Sequence, residues 1–154
     1  MDPKRIELIE KVKLAISDKY SEEDILKTAI ELIDAYSDGY NWTGFYMLRE
    51  GILEVGPYIG PETPHTKIEL NSGICGAAAS RKETVLVDDV NADPRFLACS
   101  ITTKSEIVVP LMDGDNCLGE IDIDSNQPAF FTEDDKLMLE KIAEIVVKRL
   151  KENS

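Results

Sequence analysis

Three cysteines and a group of acids between Ser72 and Ser125 are the residues whose types could do chemistry. Cys75 lies in SGICGAAAS and Cys99 in RFLACS, and the acids follow as Glu106, Asp122 and Asp124. In the segment EIDID the side chains alternate between the two faces of a predicted strand, so the two aspartates point the same way. Two thiols beside carboxylates predict a thiol-based redox enzyme that acts on a small polar or cationic substrate.

The two aspartates are unusual for a strand, because aspartate is depleted in strands and like charges on one face repel each other. A substrate ammonium group, a proton held on one acid or a metal ion would each relieve that repulsion. The metal is the weakest of the three, since no convincing set of histidines accompanies the acids, and we predict no metal. Glu120 shares the face of Asp122 and Asp124, but we interpret it as solvated surface near an edge or turn.

The positions of the three thiols separate them. Cys117 lies inside a predicted strand, where a cysteine is usually a buried apolar filler. Cys75 lies in the first turn of a predicted helix, where the helix dipole lowers the pKa of a thiol, and Cys99 lies in a predicted loop. The odd number of cysteines argues against a permanent disulfide framework. Reversible thiol chemistry and plain buried thiols both remain open.

Trp42 and Tyr46 form an aromatic pair four positions apart in a predicted strand, and therefore share one face. The pair is either part of the core or the wall of a pocket for a sulfonium-like or ammonium centre, which aromatic faces attract. The residues alone leave both interpretations open. His65, in an irregular segment, is interpreted as an ordinary loop histidine.

The size and charge of the chain limit its fold and its partners. A length of 154 residues with 43% apolar content suits a single domain over residues 1–154. The net charge of -13 argues against nucleic acid or an anionic membrane as a partner. We find no run of 18 apolar residues and no basic stub followed by an apolar segment. We therefore expect a soluble cytoplasmic protein.

The first half of the chain is predicted to contain two helices followed by strands. Apolar residues at helical spacing predict helices over 4–18 and from Ser21 to about Tyr36. The residue types then become typical of strands, and a Glu-Gly turn predicts a hairpin beginning at Trp42. The segment GPETPH over 60–65 is predicted to be irregular, because its prolines and glycine disrupt regular hydrogen bonding.

The second half alternates short elements and ends in a helix. A short strand is predicted in TKIEL, and Asn71 and Ser72 are predicted to cap a short helix after it. Strands follow over 84–89 and in SEIVVPLMD, and the DGDN turn joins the latter to CLGEIDIDS. A final helix is predicted to start at Thr132. Its predicted inward side contains Leu137, Leu139, Ile142, Ile145, Val146 and Leu150. Helices at both ends of a mostly antiparallel sheet define an α+β domain.

Five segments of the chain resemble one known family. They are NWTGFY over 41–46, SGICG over 72–76, the loop ending in Cys99, SEIVVPL over 105–111 and GEIDIDS over 119–125. In this order and spacing they are similar to the GAF-domain enzymes that reduce free methionine-(R)-sulfoxide. The resemblance implies a GAF fold: a central six-stranded antiparallel sheet with the N- and C-terminal helices packed on one face.

The resemblance also implies an activity. Cys99 would attack free L-methionine-(R)-sulfoxide and become a sulfenic acid, and Cys75 would resolve it as a disulfide. A dithiol such as thioredoxin would reduce that disulfide, without a resident cofactor, and the protein would be a homodimer. The alternative is a stand-alone GAF module that binds a small molecule or senses oxidants without turnover.

The resemblance further assigns a pocket and contains one departure. It implies that Trp42, Tyr46, Glu106, Asp122 and Asp124 line the substrate pocket, with Glu106 or an aspartate supplying a proton to the sulfoxide oxygen. Many members carry a third cysteine where this chain has His65. Recycling would therefore depend on Cys75 or on an external thiol.

Overall fold

A computed structural model describes residues 1–95 and 102–153. The predicted nucleophile Cys99 lies outside the described residues. The helices and strands, in chain order, are α1 Pro3–Ile16, α2 Glu22–Ala35, β1 Trp42–Arg49, β2 Ile52–Ile59, β3 Lys67–Glu69, α3 Gly73–Arg81, β4 Val85–Val87, β5 Ser105–Asp113, β6 Asn116–Ser125 and α4 Glu133–Glu152. This order agrees with the sequence-based prediction and confirms the α+β class.

The strands of the described residues form one six-stranded sheet in the order β3-β2-β1-β6-β5-β4. Every neighbouring pair is antiparallel, as the resemblance implied. The β1–β2 hairpin turns at Glu50 and Gly51, which both have positive φ angles of 51° and 81°, as a tight hairpin requires. The strand that carries the aspartates, β6, lies in the middle of the sheet between β1 and β5.

The two faces of the sheet have separate apolar clusters. On one face, the larger cluster joins the sheet to α1, α2 and α4, which confirms that the terminal helices share a face. On the other face, α3 packs with a smaller cluster that includes Trp42, Tyr46 and Cys75. The inward side of α4 differs from the prediction at one position: Leu137 is half exposed, and Met138 is buried in its place. No helix in the described part of the chain is long and apolar enough to cross a membrane.

A buried ion pair connects the first helix to the last. Arg5 of α1 donates to Asp135 of α4 at 2.9 Å, and the Tyr40 hydroxyl donates to the same carboxylate at 2.6 Å. Asp135 also accepts from the backbone N–H of Thr132, whose side chain caps α4 in return. These contacts lower the pKa of Asp135 despite its burial. Asp135 is therefore a buried acid with a complete set of partners.

Candidate active site

The predicted acids lie side by side on the sheet face that α3 covers. The register of β6 places Asp124 opposite both Trp42 of β1 and Glu106 of β5. Asp122 follows on the same face of β6, opposite Gly44 of β1. The three acids are each at most 5% exposed. The structure therefore brings Glu106, Asp122 and Asp124 together in one buried row.

Glu120 extends this row, and its interpretation as solvated surface is wrong. It lies opposite Tyr46 on β1 and Pro110 on β5 and is completely buried. The interpretation fails because β6 is a central strand whose site face is covered by α3. Neither an edge nor a turn exposes Glu120 to solvent. We call the four residues Glu106, Glu120, Asp122 and Asp124 the acid row.

The acid row contains hydrogen-bond acceptors that the described residues leave unsatisfied. Within residues 1–95 and 102–153, both side-chain oxygens of Glu120 and the Oδ1 atoms of Asp122 and Asp124 are buried without a hydrogen-bond partner. Among residues 1–95 and 102–153, no lysine or arginine forms an ion pair with any of the four acids. Buried carboxylates are normally paired or hydrogen-bonded. These oxygens therefore offer a site for a cation or for added protons.

Arg95 is a basic residue whose field reaches the row, because its charge acts on Glu106. Its guanidinium, however, donates two hydrogen bonds to Asp93, at 2.9 and 2.6 Å. This forked contact satisfies Arg95 locally. The positive charge is therefore shared with another carboxylate and does not neutralise the row.

Burial and mutual repulsion raise the pKa values of the whole row. Burial is the largest cause for Glu106, Glu120 and Asp124, and the charge of Asp122 is the next in each case. Burial also raises the pKa of Asp122, although hydrogen bonds to Glu106 and Cys75 oppose the shift. The row therefore retains protons at pH values where isolated carboxyl groups are ionised, and it behaves as a coupled set.

Cys75 lies in the first turn of α3 with its thiol directed at the row. Its Sγ donates to Oε2 of Glu106 at 3.9 Å, and the residue is buried. Burial, followed by the charges of Asp122, Glu120 and Glu106, raises the pKa of Cys75. The prediction that the helix dipole lowers this pKa is therefore wrong, because desolvation and three nearby acids outweigh the dipole. Cys75 is a protonated thiol unless a base removes its proton.

Cys117 has a different environment. It is half-buried at the start of β6, packs at the border of the smaller cluster and donates from Sγ to the carbonyl of Gly119 at 3.2 Å. Burial is the largest cause that raises its pKa. These contacts agree with the predicted role of an apolar filler.

The aromatic pair forms a stacked wall beside the acids. The rings of Trp42 and Tyr46 lie 6.0 Å apart at 27°, and Tyr58 of β2 also stacks with Trp42, at 5.1 Å and 19°. Gly44 makes this stack possible, since a Cβ atom there would lie 2.6 Å from both Trp42 and Tyr58. Sequence analysis missed Tyr58, and the signal that could have found it is its position opposite Gly44 in the hairpin.

The polar atoms of the same aromatic residues hold the irregular segment 60–65. Nε1 of Trp42 donates to the carbonyl of Pro61 at 3.0 Å, and the hydroxyl of Tyr46 donates to the carbonyl of His65 at 2.8 Å. The backbone N–H of His65 donates to Oγ1 of Thr63 at 3.1 Å. Trp42 and Tyr46 therefore both line the site and fix the backbone of the segment beside it.

Two small cavities open onto the row. One, of about 20 Å³, is lined by Tyr46, Cys75, Glu106 and Asp122 together with residues of β3 and α3. The other, of about 50 Å³, has Asp124 and Trp42 in its lining, together with parts of the segments around 61–63 and 102–103. A much larger cavity, about 640 Å³, lies between α2 and the β1–β2 hairpin. Its lining contains neither a cysteine nor a member of the acid row, so size alone does not locate the chemistry.

Three atoms of the site have a spacing that metal ligands can adopt. The Sγ of Cys75 and carboxylate oxygens of Glu106 and Asp122 lie within 4.8 Å of one another. Sulfur and oxygen ligands without a histidine make an uncommon set for a transition metal in proteins. The absence of a metal in the reaction remains a prediction.

All described residues that the sequence singled out for the site converge on one face of the sheet. Trp42, Tyr46, Cys75, Glu106, Asp122 and Asp124 are all buried there. Cys99 belongs to the connection between β4 and β5 and lies outside the described residues. Glu120 and Tyr58 join the site without having been predicted.

Comparison with known proteins identifies related chains. The family model of the GAF domain matches residues 21–150. A free methionine-R-sulfoxide reductase from Saccharomyces cerevisiae is 45% identical over 112 residues, which are 70% of this chain and 62% of the yeast protein. A protein of the same name from Escherichia coli is 34% identical over 66% of this chain and 61% of its own length. The chain thus spans about three fifths of the length of these relatives.

A solved structure is similar over almost the entire chain. The free methionine-R-sulfoxide reductase from Neisseria meningitidis, solved in complex with its substrate, superposes with a TM-score of 0.93. It is 32% identical and covers 99% of this chain and 93% of its own. At this identity and coverage, the similarity holds for the amino-acid sequence as well as for the fold.

Proposed function

This chain belongs to the GAF domain family, and on that premise we propose that it reduces free L-methionine-(R)-sulfoxide to methionine with its own thiols. The observation that carries the proposal is the acid row: buried carboxylate oxygens without partners, next to the thiol of Cys75 and a stacked aromatic wall. The relatives named for this activity, including one solved with its substrate bound, support the choice of reaction.

The acid row explains the preference for a free amino acid. An ammonium group is the part of free methionine sulfoxide that a peptide-bound residue lacks. Placed against Asp122 and Asp124, it would give their unpartnered oxygens charge-assisted hydrogen bonds. It would also relieve the repulsion between the two carboxylates, which face the same side of β6. The row therefore selects its ligand by charge.

The aromatic wall would receive the other end of the substrate. The faces of Trp42 and Tyr46 are apolar and electron-rich, which suits a methyl group next to a polarised sulfur. Their ring donors are already bonded to the 60–65 backbone. These hydrogen bonds hold the two rings in one orientation, so that substrate binding does not need to order them.

The first half-reaction transfers oxygen to Cys99. The S–O bond of the sulfoxide breaks while a new S–O bond forms on the sulfur of the Cys99 thiolate, whose own proton has passed to solvent. The substrate is reduced by two electrons to the thioether, and the cysteine is oxidised to a sulfenic acid. Glu106 supplies the proton that the transferred oxygen acquires, because its raised pKa keeps it protonated to higher pH than an ordinary glutamic acid.

The second half-reaction resets the cysteines. The Cys75 sulfur attacks the sulfenic acid, a disulfide forms, and the hydroxyl leaves as water. A dithiol reductant such as thioredoxin then reduces the disulfide, so no resident cofactor is needed. We further propose that the protein acts as a homodimer in the cytoplasm, where such reductants are kept reduced.

Turnover with free methionine sulfoxide and dithiothreitol tests the proposal. Methionine should accumulate well beyond one equivalent of enzyme from the R epimer and not from the S epimer. Cys99→Ser should abolish turnover, whereas the matched variant Cys117→Ser should stay within about threefold of the wild-type rate. Equal losses in the two variants would refute the assignment of the nucleophile. Product that stops at one equivalent would instead indicate a GAF module that binds or senses without turnover.

A further inference from the structure

The buried thiol of Cys75 faces a chemical difficulty in the second half-reaction. A thiol must lose its proton before its sulfur can attack, yet Cys75 is 5% exposed and solvent has little access to it. Burial and the nearby acids also favour its protonated form. A base in direct contact with the thiol would resolve the difficulty.

We infer that Glu106 is this base, so that one carboxyl serves both half-reactions: it gives a proton to the transferred oxygen and then takes the proton of Cys75. The inference rests on the proposed function. Its observation is the contact of 3.9 Å between Cys75 Sγ and Glu106 Oε2, in which the thiol is the donor. The contact lies along the path that the proton must follow.

The order of the two half-reactions prepares Glu106 for this second role. Once it has protonated the sulfoxide oxygen, Glu106 is an anion inside a buried row of acids. Such an anion binds a proton more strongly than a carboxylate in water does, because burial and repulsion both penalise its charge. The environment that makes the glutamic acid retain its proton therefore makes the glutamate an effective base.

Glu120 is the competing candidate for the same role. Its charge also acts on Cys75, and the thiol lies close enough to influence the protonation of both Glu120 and Asp122. Glu106 is distinguished by the 3.9 Å contact with hydrogen-bond geometry. The cavity of about 20 Å³ is lined by Cys75 and Glu106, and Glu120 is not part of its lining. A cavity of that size holds one water molecule. One water is also the product that leaves when the disulfide forms.

The proton balance closes within these groups. Glu106 takes the proton from Cys75, the Cys75 thiolate attacks the Cys99 sulfenic acid, and the sulfur–oxygen bond of the sulfenic acid breaks as the disulfide bond forms. The departing hydroxide receives the proton from Glu106 and becomes water. One thiol and one sulfenic acid thus give one disulfide and one water. Glu106 ends as a carboxylate and takes a proton from solvent before the next sulfoxide is reduced.

Hydrogen peroxide provides a test that bypasses methionine sulfoxide. Peroxide converts the Cys99 thiolate to the sulfenic acid without the first half-reaction, and the hydroxide that leaves takes the proton of Glu106, so Glu106 again enters the second half-reaction as a carboxylate. Dimedone traps whatever sulfenic acid has not yet become a disulfide. We expect Glu106→Gln to slow disulfide formation about a hundredfold, the lower end of what a positioned base contributes. Dimedone-labelled Cys99 should accumulate in this variant, as measured by mass spectrometry. The variants of the competing acids, Glu120→Gln and Asp122→Asn, should slow disulfide formation much less than Glu106→Gln does, because only Glu106 has a contact with hydrogen-bond geometry to the thiol.

The pH profile separates a base from a residue that only shapes the site. In Glu106→Gln the rate should rise about tenfold for each pH unit, since it follows the thiolate fraction of Cys75. The wild-type rate should depend on pH much less steeply once Glu106 is ionised. Glu106→Asp retains a carboxylate and should recover part of the rate, which Gln cannot do.

Several outcomes would overturn the inference. Glu106 would be excluded as the base if Glu106→Gln formed the disulfide at the wild-type rate. It would also be excluded if Glu120→Gln slowed disulfide formation as much as Glu106→Gln does, or if Glu106→Asp and Glu106→Gln were slowed equally at all pH values. Peroxide-treated wild type that forms no disulfide between Cys75 and Cys99 would refute it as well. If instead the disulfide forms in a manner dependent on Glu106 while free methionine sulfoxide is not turned over, the inference stands and the proposed function fails.

Discussion

The structure predicts that two buried aspartates respond to the same substitution with opposite changes in stability. Asp124 belongs to the acid row and has one buried oxygen without a partner, whereas Asp135 bonds Arg5, Tyr40 and Thr132. Replacing Asp124 with Asn removes a charge that no described cation neutralises, and it keeps the shape of the side chain. Replacing Asp135 with Asn removes the partner of Arg5.

The magnitudes follow from the contacts. An unsatisfied buried polar group costs about 1 to 3 kcal/mol, and the buried amide of Asn recovers only part of this, so Asp124→Asn should stabilise the free protein by about 1 kcal/mol. Asp135→Asn loses charge-assisted bonds and should destabilise by about 2 to 3 kcal/mol. A change of about 1 kcal/mol shifts Tm by about 2 to 4 °C for a chain of this size. Thermal unfolding without ligand should therefore show shifts of opposite sign.

The dependence on pH provides a sharper check. Asp124 has a raised pKa in the folded state, so its ionisation weakens the fold as pH rises above the ordinary aspartate value of 3.8. The gain from Asp124→Asn should be negligible near that pH and should grow toward pH 8. Asp135 has a lowered pKa, so its contribution is complete above 3.8 and is lost as pH falls below it. The loss from Asp135→Asn should therefore shrink in acid.

Activity should move in the opposite direction to stability at Asp124. If its carboxylate binds the substrate ammonium, Asp124→Asn loses about 1.5 to 3 kcal/mol of charge-assisted binding, which is roughly a ten- to hundredfold fall in kcat/KM. A variant that is less stable than wild type at pH 8, or one that retains full kcat/KM, would refute the assignment of Asp124 as a strained, ligand-binding acid.

Two further predictions concern the substrate and the resolving thiol. N-acetylated methionine sulfoxide amide has no ammonium group and carries chain on both sides, so its kcat/KM should be more than about a hundredfold below that of the free amino acid. Asp124→Asn should not make this compound a substrate. Similar kcat/KM values for the two compounds on the wild-type protein would mean that the acids do not recognise the ammonium group. Cys75→Ser should still release one equivalent of methionine in a rapid-quench experiment and should lose recycling by a protein dithiol, whereas loss of the first equivalent would show that Cys75 and Cys99 have exchanged roles.

Local pattern was sufficient to predict most of the elements. The caps at Ser21 and Thr132, the hairpin turn at Glu50 and Gly51 and the alternation in EIDID each depend on nearest neighbours in sequence, and the structure agrees with them. The predicted cap at Ser72 is only half right, because Ser72 precedes α3 without a side-chain hydrogen bond to it.

The properties of the site depend on sheet order, which the pattern does not contain. Alternation placed Glu120 on the same face as the aspartates, but only the position of β6 between β1 and β5, under α3, shows that this face is buried. The predicted direction of the pKa shift of Cys75 was wrong for the same reason. A helix start is visible in sequence, whereas the three acids that override its dipole come from two strands distant along the chain. Local rules therefore located the reactive groups and the tendency of the acids to hold a proton, but they misjudged the pKa of Cys75.

The free protein and the ligand-bound protein have opposite requirements at the acid row. Without a cation, four buried carboxyls must hold protons or repel one another, and the fold loses stability as they ionise. An ammonium group would remove that penalty, so part of the binding free energy of the substrate would come from relief of the repulsion among the acids. The same reasoning explains why Asp135, which has its own arginine, stabilises the fold and contributes nothing to the site. The buried acids without partners are therefore the groups that a cationic ligand would stabilise most.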